Sequence, residues 1–236
     1  MNHLHISTRG IFSWRERLAN PGTQWRRRYS ALEAAVSWES ASSTESGLPT
    51  PILNLLEHAY GNPKLLLAIA EHKVPLPGGN TDSQNDLWGL VKTATCIVSV
   101  TIEAKARESF GNETLAAWLR DPEAPPANRQ TRWQYICDHL PPVQEGAYLP
   151  VAYQLLHRCA SAVIEAKRFG LKHAACIIQA FETPLNRFEE FSQFCEVIGI
   201  QVPRGGIANA IVGDVVLGIG WADCPCATDA EIAAIV

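Results

Sequence analysis

The ten residues 96–105, with the sequence CIVSVTIEAK, constrain the fold more than any other stretch of the chain. Apolar and polar residues alternate along it, and successive side chains of a β-strand point to opposite faces. The stretch therefore predicts a strand with an apolar face formed by Val98, Val100 and Ile102. The polar face consists of Ser99, Thr101, Glu103 and Lys105. The strand thus ends in two opposite charges on one face, roughly 7 Å apart.

Helical and strand patterns alternate along the chain between turn-forming residues. Helices are predicted at 31–39, 50–60, 113–119, 129–139, 151–169 and 186–198. Strands are predicted at 86–91, 96–103, 174–181 and 215–221, and residues 65–70 fit either a strand or a helix. Ser30 and Glu33 have the spacing of a capping box, and Asn186 with Glu189 is predicted to cap a later helix. This order, without an internal repeat, indicates an α/β fold.

The composition is that of a globular protein with a sizeable core. The chain has 236 residues, 47% of them apolar, and we expect residues 1–236 to form a single domain. The net charge of −4 provides no global basic field to attract nucleic acid. The apolar tract 207–221 is interrupted by Asp214 and glycines and does not predict a membrane span. Seven scattered cysteines, an odd number, predict a reduced, cytoplasmic protein.

Residues 1–29 differ from the rest of the chain in charge. Residues 1–28 contain six arginines and one acidic residue, Glu16. A basic arm of this kind could grip a phosphate backbone or simply be solvated. Because it carries Trp14, Trp25 and Tyr29, we expect it to pack onto the domain and not to be a transit peptide.

Acidic-x-Lys triplets occur at three places: Glu71-His72-Lys73, Glu103-Ala104-Lys105 and Glu165-Ala166-Lys167. On a strand the two charged side chains of a triplet share a face, whereas on a helix they point roughly 200° apart. Glu165 and Lys167 lie in the predicted helix 151–169 and therefore indicate a solvated helix surface. The Glu71 triplet has no acidic residue shortly before it and remains a weaker candidate.

A second carboxylate, Asp86, comes within reach of Glu103 if the two strands form a hairpin. A turn centred near Ala94 would set Asp86 opposite Ile102, one register step from Glu103. Two crowded carboxylates without a counter-charge are unfavourable, and Mg²⁺ or Mn²⁺ is the usual remedy because hard cations prefer carboxylate oxygen. The sequence therefore predicts a cluster of Asp86, Glu103 and Lys105 around a divalent cation.

Asp86 followed by Glu103-x-Lys105 at the end of a core strand resembles the PD-(D/E)xK superfamily of restriction-endonuclease-like nucleases. The resemblance covers residues 30–221 in element order but only three positions in its motif, and Asn85 stands where a proline is often found. It implies an α-β-β-β-α-β core with a mixed central sheet flanked by helices. The stretch WRRRYSA at 25–31 also looks like part of a group of uncharacterised bacterial proteins.

The resemblance implies roles for individual residues. Asp86 and Glu103 would bind the metal together with the carbonyl of Ala104, and Lys105 would orient or deprotonate the attacking water. Glu39 on the first helix could complete the metal shell or be an exposed helix-end glutamate. Nucleic-acid contacts are expected from His72, Lys73, Gln154, His157 and Arg158. The last three lie on one helix stripe that could equally be plain solvent exposure.

The expected function is a Mg²⁺- or Mn²⁺-dependent endonuclease or exonuclease that hydrolyses phosphodiester bonds. DNA is the expected substrate, and the resemblance implies a homodimer. The alternative is a nuclease-like fold that binds nucleic acid or protein without cutting. The sequence contains no Gly-x-Ser-x-Gly elbow and no phosphate-binding Gly-rich loop, which argues against serine hydrolases and P-loop enzymes.

Overall fold

The computed structural model describes residues 8–111, 113–121 and 125–235 of the chain. The helices are α1 (Phe12–Arg15), α2 (Pro21–Gln24), α3 (Ser30–Ala41), α4 (Thr50–Tyr60), α5 (Leu115–Arg120), α6 (Pro126–Cys137), α7 (Tyr153–Arg168), α8 (Leu185–Val197) and α9 (Asp229–Ile235). The strands are β1 (Lys64–Val74), β2 (Ser83–Lys92), β3 (Ile97–Lys105), β4 (His173–Phe181), β5 (Ile207–Val212) and β6 (Val215–Cys224).

The six strands form one open, mixed sheet with the order β1-β2-β3-β4-β6-β5. β1, β2 and β3 pair antiparallel, β3, β4 and β6 are parallel, and β5 pairs antiparallel with β6. The parallel step from β3 to β4 is a crossover that contains α5, α6 and α7, as parallel pairs require. The predicted α/β class, with a mixed sheet flanked by helices, is confirmed.

Helices cover both faces of the sheet, and β3 shows why. Val98, Val100 and Ile102 are buried in an apolar cluster shared with α3 and α4. On the other face the Ser99 hydroxyl donates a hydrogen bond to the Ala162 carbonyl of α7, at 3.1 Å. The predicted alternation of residues 96–105 is therefore correct, and it directs Glu103 and Lys105 toward α7.

Several local predictions need correction. Residues 65–70, for which the sequence allowed a strand or a helix, belong to strand β1. Strand β5 was not predicted, because its tract is flanked by glycines. Helix α8 begins after Pro184, without the side-chain cap expected from Asn186. Helix α5 is capped by Thr114, whose side chain accepts a hydrogen bond from the Ala117 amide.

The capping box at Ser30 and Glu33 is also wrong. The residue before helix α3 is Tyr29, and its side chain makes no capping hydrogen bond. Glu108 takes that role, since its Oε1 accepts from both the amide and the hydroxyl of Ser30, at 3.0 and 3.1 Å. Glu33 is buried and accepts from the amides of Arg28 and Ala227, each at 2.7 Å.

The described part of the N-terminal arm, residues 8–29, lies against α3 and the end of β1. Trp14 is buried, and its indole Nε1 donates to Glu39 Oε1 at 2.7 Å. The Arg17 guanidinium donates to the Ala70 carbonyl at 3.1 Å. These contacts bring the arm to the end of the sheet where β1, β2 and β3 place their acidic residues.

Candidate active site

The register of three neighbouring strands places three carboxylates in one row. Between β1 and β2 the pairs Ala70–Leu87 and His72–Asn85 enclose the position where Glu71 lies opposite Asp86. Between β2 and β3 the pairing ends at Leu87–Ile102, so the next row sets Asp86 beside Glu103. The sequence had placed Asp86 opposite Ile102. That prediction is wrong by one residue, because the turn spans the four residues between the Lys92–Ile97 pair.

The three carboxylates line one cavity of about 530 Å³, which we call the acid-cluster cavity. Lys105, Gln154 and Arg158 also line it, as do residues of the N-terminal arm and the start of α3. The sheet thus contributes the acids, α7 contributes polar and basic groups, and the arm forms a wall. A cavity with several convergent ionisable groups is a common form of active site.

Glu103 is held between two cations. It is 2% exposed, and its Oε1 lies 2.5 Å from Lys105 Nζ while its Oε2 lies 2.5 Å from Arg158 Nε. Burial acts to raise its pKa, but the charges and hydrogen bonds of Arg158 and Lys105 prevail and lower the pKa of Glu103 to about 2. Glu103 is therefore ionised at any physiological pH.

Asp86 lies where the pairing of β2 with β3 stops. Its Oδ2 accepts a hydrogen bond from the Ala104 amide at 2.6 Å. Burial raises the pKa of Asp86 well above its ordinary value, and the negative charges of Glu103 and Glu71 raise it further. The Asp86 carboxylate thus links the ends of β2 and β3, although burial and the neighbouring carboxylates disfavour its negative charge.

The sequence did not predict that Glu71 lies beside Asp86. Its φ of +54° is in the left-handed region, which is rare for glutamate and, where it occurs, is frequent at functional sites. Gln84 Nε2 donates to Glu71 Oε2 at 2.6 Å. Burial raises the pKa of Glu71 to about 7, and the charge of Glu103 contributes, against the opposing effect of Gln84. The cluster therefore has three acids and the strained backbone of Glu71.

The raised pKa of Glu71 predicts an unusual dependence of stability on pH. Its ordinary value is 4.5 and its folded value about 7, so between these limits the folded state binds more protons than the unfolded state. The free energy of unfolding should therefore decrease as the pH rises through this window. Glu71→Gln should flatten that decrease and make the protein more stable than wild type above pH 7, as measured by urea unfolding at several pH values.

The exposed Glu57 of α4 supplies a control for this measurement. Glu57→Gln removes an exposed carboxyl that does not line the acid-cluster cavity, and it should leave the pH profile parallel to that of the wild type. If the free energy of unfolding depends on pH in the same way for Glu71→Gln and the wild type, the pKa of Glu71 is not raised in the folded state.

The structure separates the other predicted site residues. Gln154 and Arg158 line the acid-cluster cavity, and the Oε1 atom of Gln154 is buried with no hydrogen-bond partner among the described residues. His157, one residue before Arg158, lines a different cavity on the same side of the sheet. The predicted stripe is therefore divided between two cavities and is not plain solvent exposure.

The structure places three further predicted site residues outside the acid-cluster cavity. Glu39 is bound to Trp14 and does not line the cavity, so it does not complete a metal shell there. His72 stacks on Trp88 with ring centroids 5.0 Å apart and lies 3.5 Å from Glu165 Oε1, because the turn in the backbone at Glu71 redirects the residues that follow. Lys73 is exposed and also lies outside the cavity.

The interpretation of Glu165 as part of a solvated surface is wrong. Glu165 is 1% exposed and lies 2.8 Å from Arg168 Nη1, in addition to its contact with His72. Helical phase correctly separates Glu165 from Lys167, but it does not reveal which of the two faces the sheet. Glu165 turned out to be the buried one.

A divalent cation fits the donor types of this cavity but competes with protein cations there. Oε1 of Glu71 and Oδ1 of Asp86 accept no hydrogen bond within the described part of the chain. Both oxygens of Glu103, in contrast, contact Lys105 and Arg158. Among the described residues, no group of three or more His, Cys, Asp or Glu side chains is arranged to hold a metal ion. Metal binding would therefore require Glu103 to exchange a cation contact for the metal.

A family model described as a domain of unknown function (DUF6946) matches residues 7–226, so the chain belongs to this family. No curated protein and no solved structure matches the chain. None of the described helices has the length and apolar character needed to cross a membrane.

Proposed function

We propose that this member of the DUF6946 family is a metal-dependent nuclease that hydrolyses phosphodiester bonds, with DNA as its substrate. The observation that carries the proposal is the row of Glu71, Asp86 and Glu103 at the ends of three strands, beside Lys105. Two of the three carboxyls have raised pKa values, and a divalent cation is the group that most directly relieves such crowding.

The order of elements supports the same proposal. Helix α3, the meander of β1, β2 and β3, the crossover through α7 and the parallel strand β4 follow in the order α-β-β-β-α-β. This is the core order of restriction-endonuclease-like nucleases. The acid-x-Lys motif lies at the end of β3, and the resemblance implies a position at the end of a core strand.

In this proposal the residues of the cavity would have different roles. Asp86, Glu103 and Glu71 would hold Mg²⁺ or Mn²⁺, with the carbonyl of Ala104 as a further ligand. A bound divalent cation supplies a Lewis acid for the scissile phosphate and lowers the pKa of a bound water. Lys105 would orient the attacking water, and Arg158 would place a positive charge beside the phosphate oxygens.

One observation favours the alternative of a catalytically silent binding module. Both oxygens of Glu103 are already paired with Lys105 and Arg158, so the protein neutralises this carboxylate by itself. Such a cluster could be a structural ion-pair network beneath a nucleic-acid-binding surface.

A cleavage assay separates the two functions. The purified protein should degrade single- or double-stranded DNA in the presence of Mg²⁺ or Mn²⁺ and stop when EDTA is added. RNA of the same sequence serves as the comparison substrate. Binding of DNA without cleavage under every metal condition would favour the silent module, and the nuclease proposal would then fail.

A further inference from the structure

A second cavity, of about 370 Å³, lies between the loop at Gly78–Ser83 and helices α5, α6 and α7; we call it the arginine cavity. Its lining includes Arg129, Arg132 and His157, and it does not include the three carboxylates of the acid cluster. Asp82 is the one acidic residue that the described part of the chain contributes to this lining, and it is exposed to solvent. The acid-cluster cavity is therefore lined by the three carboxylates of the acid cluster as well as by cations, whereas the buried charges named here for the arginine cavity are arginines.

Arg132 carries a buried positive charge whose hydrogen-bond partners are main-chain carbonyls. It is 8% exposed, and it donates from Nε to the Pro77 carbonyl at 3.0 Å and from Nη2 to the Leu76 carbonyl at 3.4 Å. It forms no ion pair with any carboxylate of the described residues. Carbonyl groups satisfy its hydrogens but do not neutralise its charge, which favours an anion beside it.

Arg129 adds an unused donor to the same cavity. It is 6% exposed, and its Nη2 donates to Asp121 Oδ2 at 2.6 Å. Its buried Nε has no hydrogen-bond partner among the described residues. A buried guanidinium N–H without an acceptor is costly, and an oxygen of a bound ligand would satisfy it.

His157 contributes a neutral donor. Arg158 Nη1, which can only donate, lies 3.1 Å from Ser83 Oγ and 3.3 Å from His157 Nδ1, so Nδ1 is an acceptor; Ser83 Oγ lies 2.8 Å from the same Nδ1. Burial and the charge of Arg158 hold the pKa of His157 well below its ordinary value. The ring proton is therefore on Nε2, which is left to donate to a ligand.

The donors are held in place by a column of stacked groups. The Arg129 guanidinium lies over Trp118, 5.0 Å from the ring centroid. Trp118 stacks on Tyr153 at 4.0 Å, and Tyr153 contacts the His157 ring at 5.0 Å. Trp118 and Tyr153 each already contact two of these groups, which leaves little of their ring surface for a base to stack on. The cavity offers donors to a compact anion.

We propose that the arginine cavity binds a phosphate monoester group, through Arg132, Arg129 and the Nε2–H of His157. Convergent guanidinium and N–H donors suit the several acceptor oxygens of a tetrahedral dianion. The phosphate could belong to a free nucleotide or to the 5′ end of a nucleic acid, and the chemistry of the contact is the same in both. The site stands apart from the proposed metal cluster and does not depend on it.

Isothermal titration calorimetry in EDTA tests the proposal with three probes: inorganic phosphate, adenosine 5′-monophosphate, and a 5′-phosphorylated DNA oligonucleotide compared with its unphosphorylated form. Arg132→Gln should weaken phosphate binding roughly tenfold to a hundredfold, because a charge-assisted contact is lost. Arg132→Lys should retain most of the binding. Affinity for the nucleotide alone identifies a free ligand, and a preference for the phosphorylated oligonucleotide identifies a nucleic-acid end; both outcomes support the site.

The binding test includes a control variant, and a second variant in case the first does not fold. Arg120→Gln alters an exposed arginine that also donates to a main-chain carbonyl, and it should leave binding unchanged. If circular dichroism shows that Arg132→Gln does not fold, His157→Phe takes its place, since it keeps the packing on Tyr153 and removes the Nε2 donor. The proposal is overturned if no probe binds, or if the folded variant binds phosphate as tightly as wild type. Asp86→Asn should abolish cleavage without weakening phosphate binding in EDTA, so this proposal and the nuclease proposal can fail separately.

Discussion

Asp86→Asn should abolish metal-dependent cleavage and yet yield a protein more stable than wild type at neutral pH. The amide oxygen can still accept the hydrogen bond of the Ala104 amide, so the ends of β2 and β3 remain joined. The buried negative charge of Asp86, which burial and the charges of Glu103 and Glu71 disfavour, is removed. At the same time the metal loses a carboxylate ligand, and cleavage should decrease on the order of a thousandfold or more.

Two measurements on the same sample check this prediction. Calorimetric titration of Mn²⁺ should show weaker binding to the variant, and urea unfolding at pH 8 should show a higher free energy of unfolding. Asp214→Asn is the matched control, because Asp214 pairs with Lys172 on an exposed surface and lines neither the acid-cluster cavity nor the arginine cavity. It should leave metal affinity and cleavage unchanged. Full cleavage activity in Asp86→Asn would rule out Asp86 as a metal ligand.

The alternation of residues 96–105 was sufficient to predict the strand, its two faces and the position of Glu103 and Lys105. Strand period fixes which side chains share a face, and that information is local. Register is not local. Asp86 was placed one residue away from its observed partner because a four-residue turn joins β2 to β3. Glu71 was missed because its pairing with Asp86 depends on a hairpin with an eight-residue loop between Val74 and Ser83. The sequence does contain a signal for this pairing, because Glu71 directly follows the apolar run 65–70.

The sequence also did not show which polar residues of a helix are buried. In α7, residues 157 and 158 differ by one position, yet His157 lines the arginine cavity and Arg158 lines the acid-cluster cavity. Glu165, predicted to be solvated, is buried against Arg168 and His72. The polar stripe of a helix shows which side chains share a face, but only the packed sheet shows which buried charge each of them meets.

Arg158→Met should destabilise the protein by about 3 kcal/mol at neutral pH. Removing one partner of a buried ion pair leaves an incompletely compensated charge, which typically costs about 3–5 kcal/mol. Lys105 remains beside Glu103 and should hold the loss near the lower limit. The pKa of Glu103 should rise from about 2 toward its ordinary value of 4.5. In the wild type, the stability due to this depressed pKa is fully present above pH 4.5 and is lost as the pH falls toward 2, so the variant should lose less on acidification.

A double variant distinguishes charge from packing in this effect. In the double-mutant cycle of Arg158→Met with Glu103→Gln, Arg158→Met should cost much less stability in the Glu103→Gln background than in the wild type, because the carboxylate that pairs with Arg158 is already gone. Lys172→Gln is the control, because it breaks an exposed ion pair and should change the free energy of unfolding by less than about 0.5 kcal/mol. If Arg158→Met costs as much stability in the Glu103→Gln background as in the wild type, the loss comes from packing against α7. The pairing of Arg158 with Glu103 would then carry little of the stability of the cluster, and Glu103 would be more readily available to a metal ion.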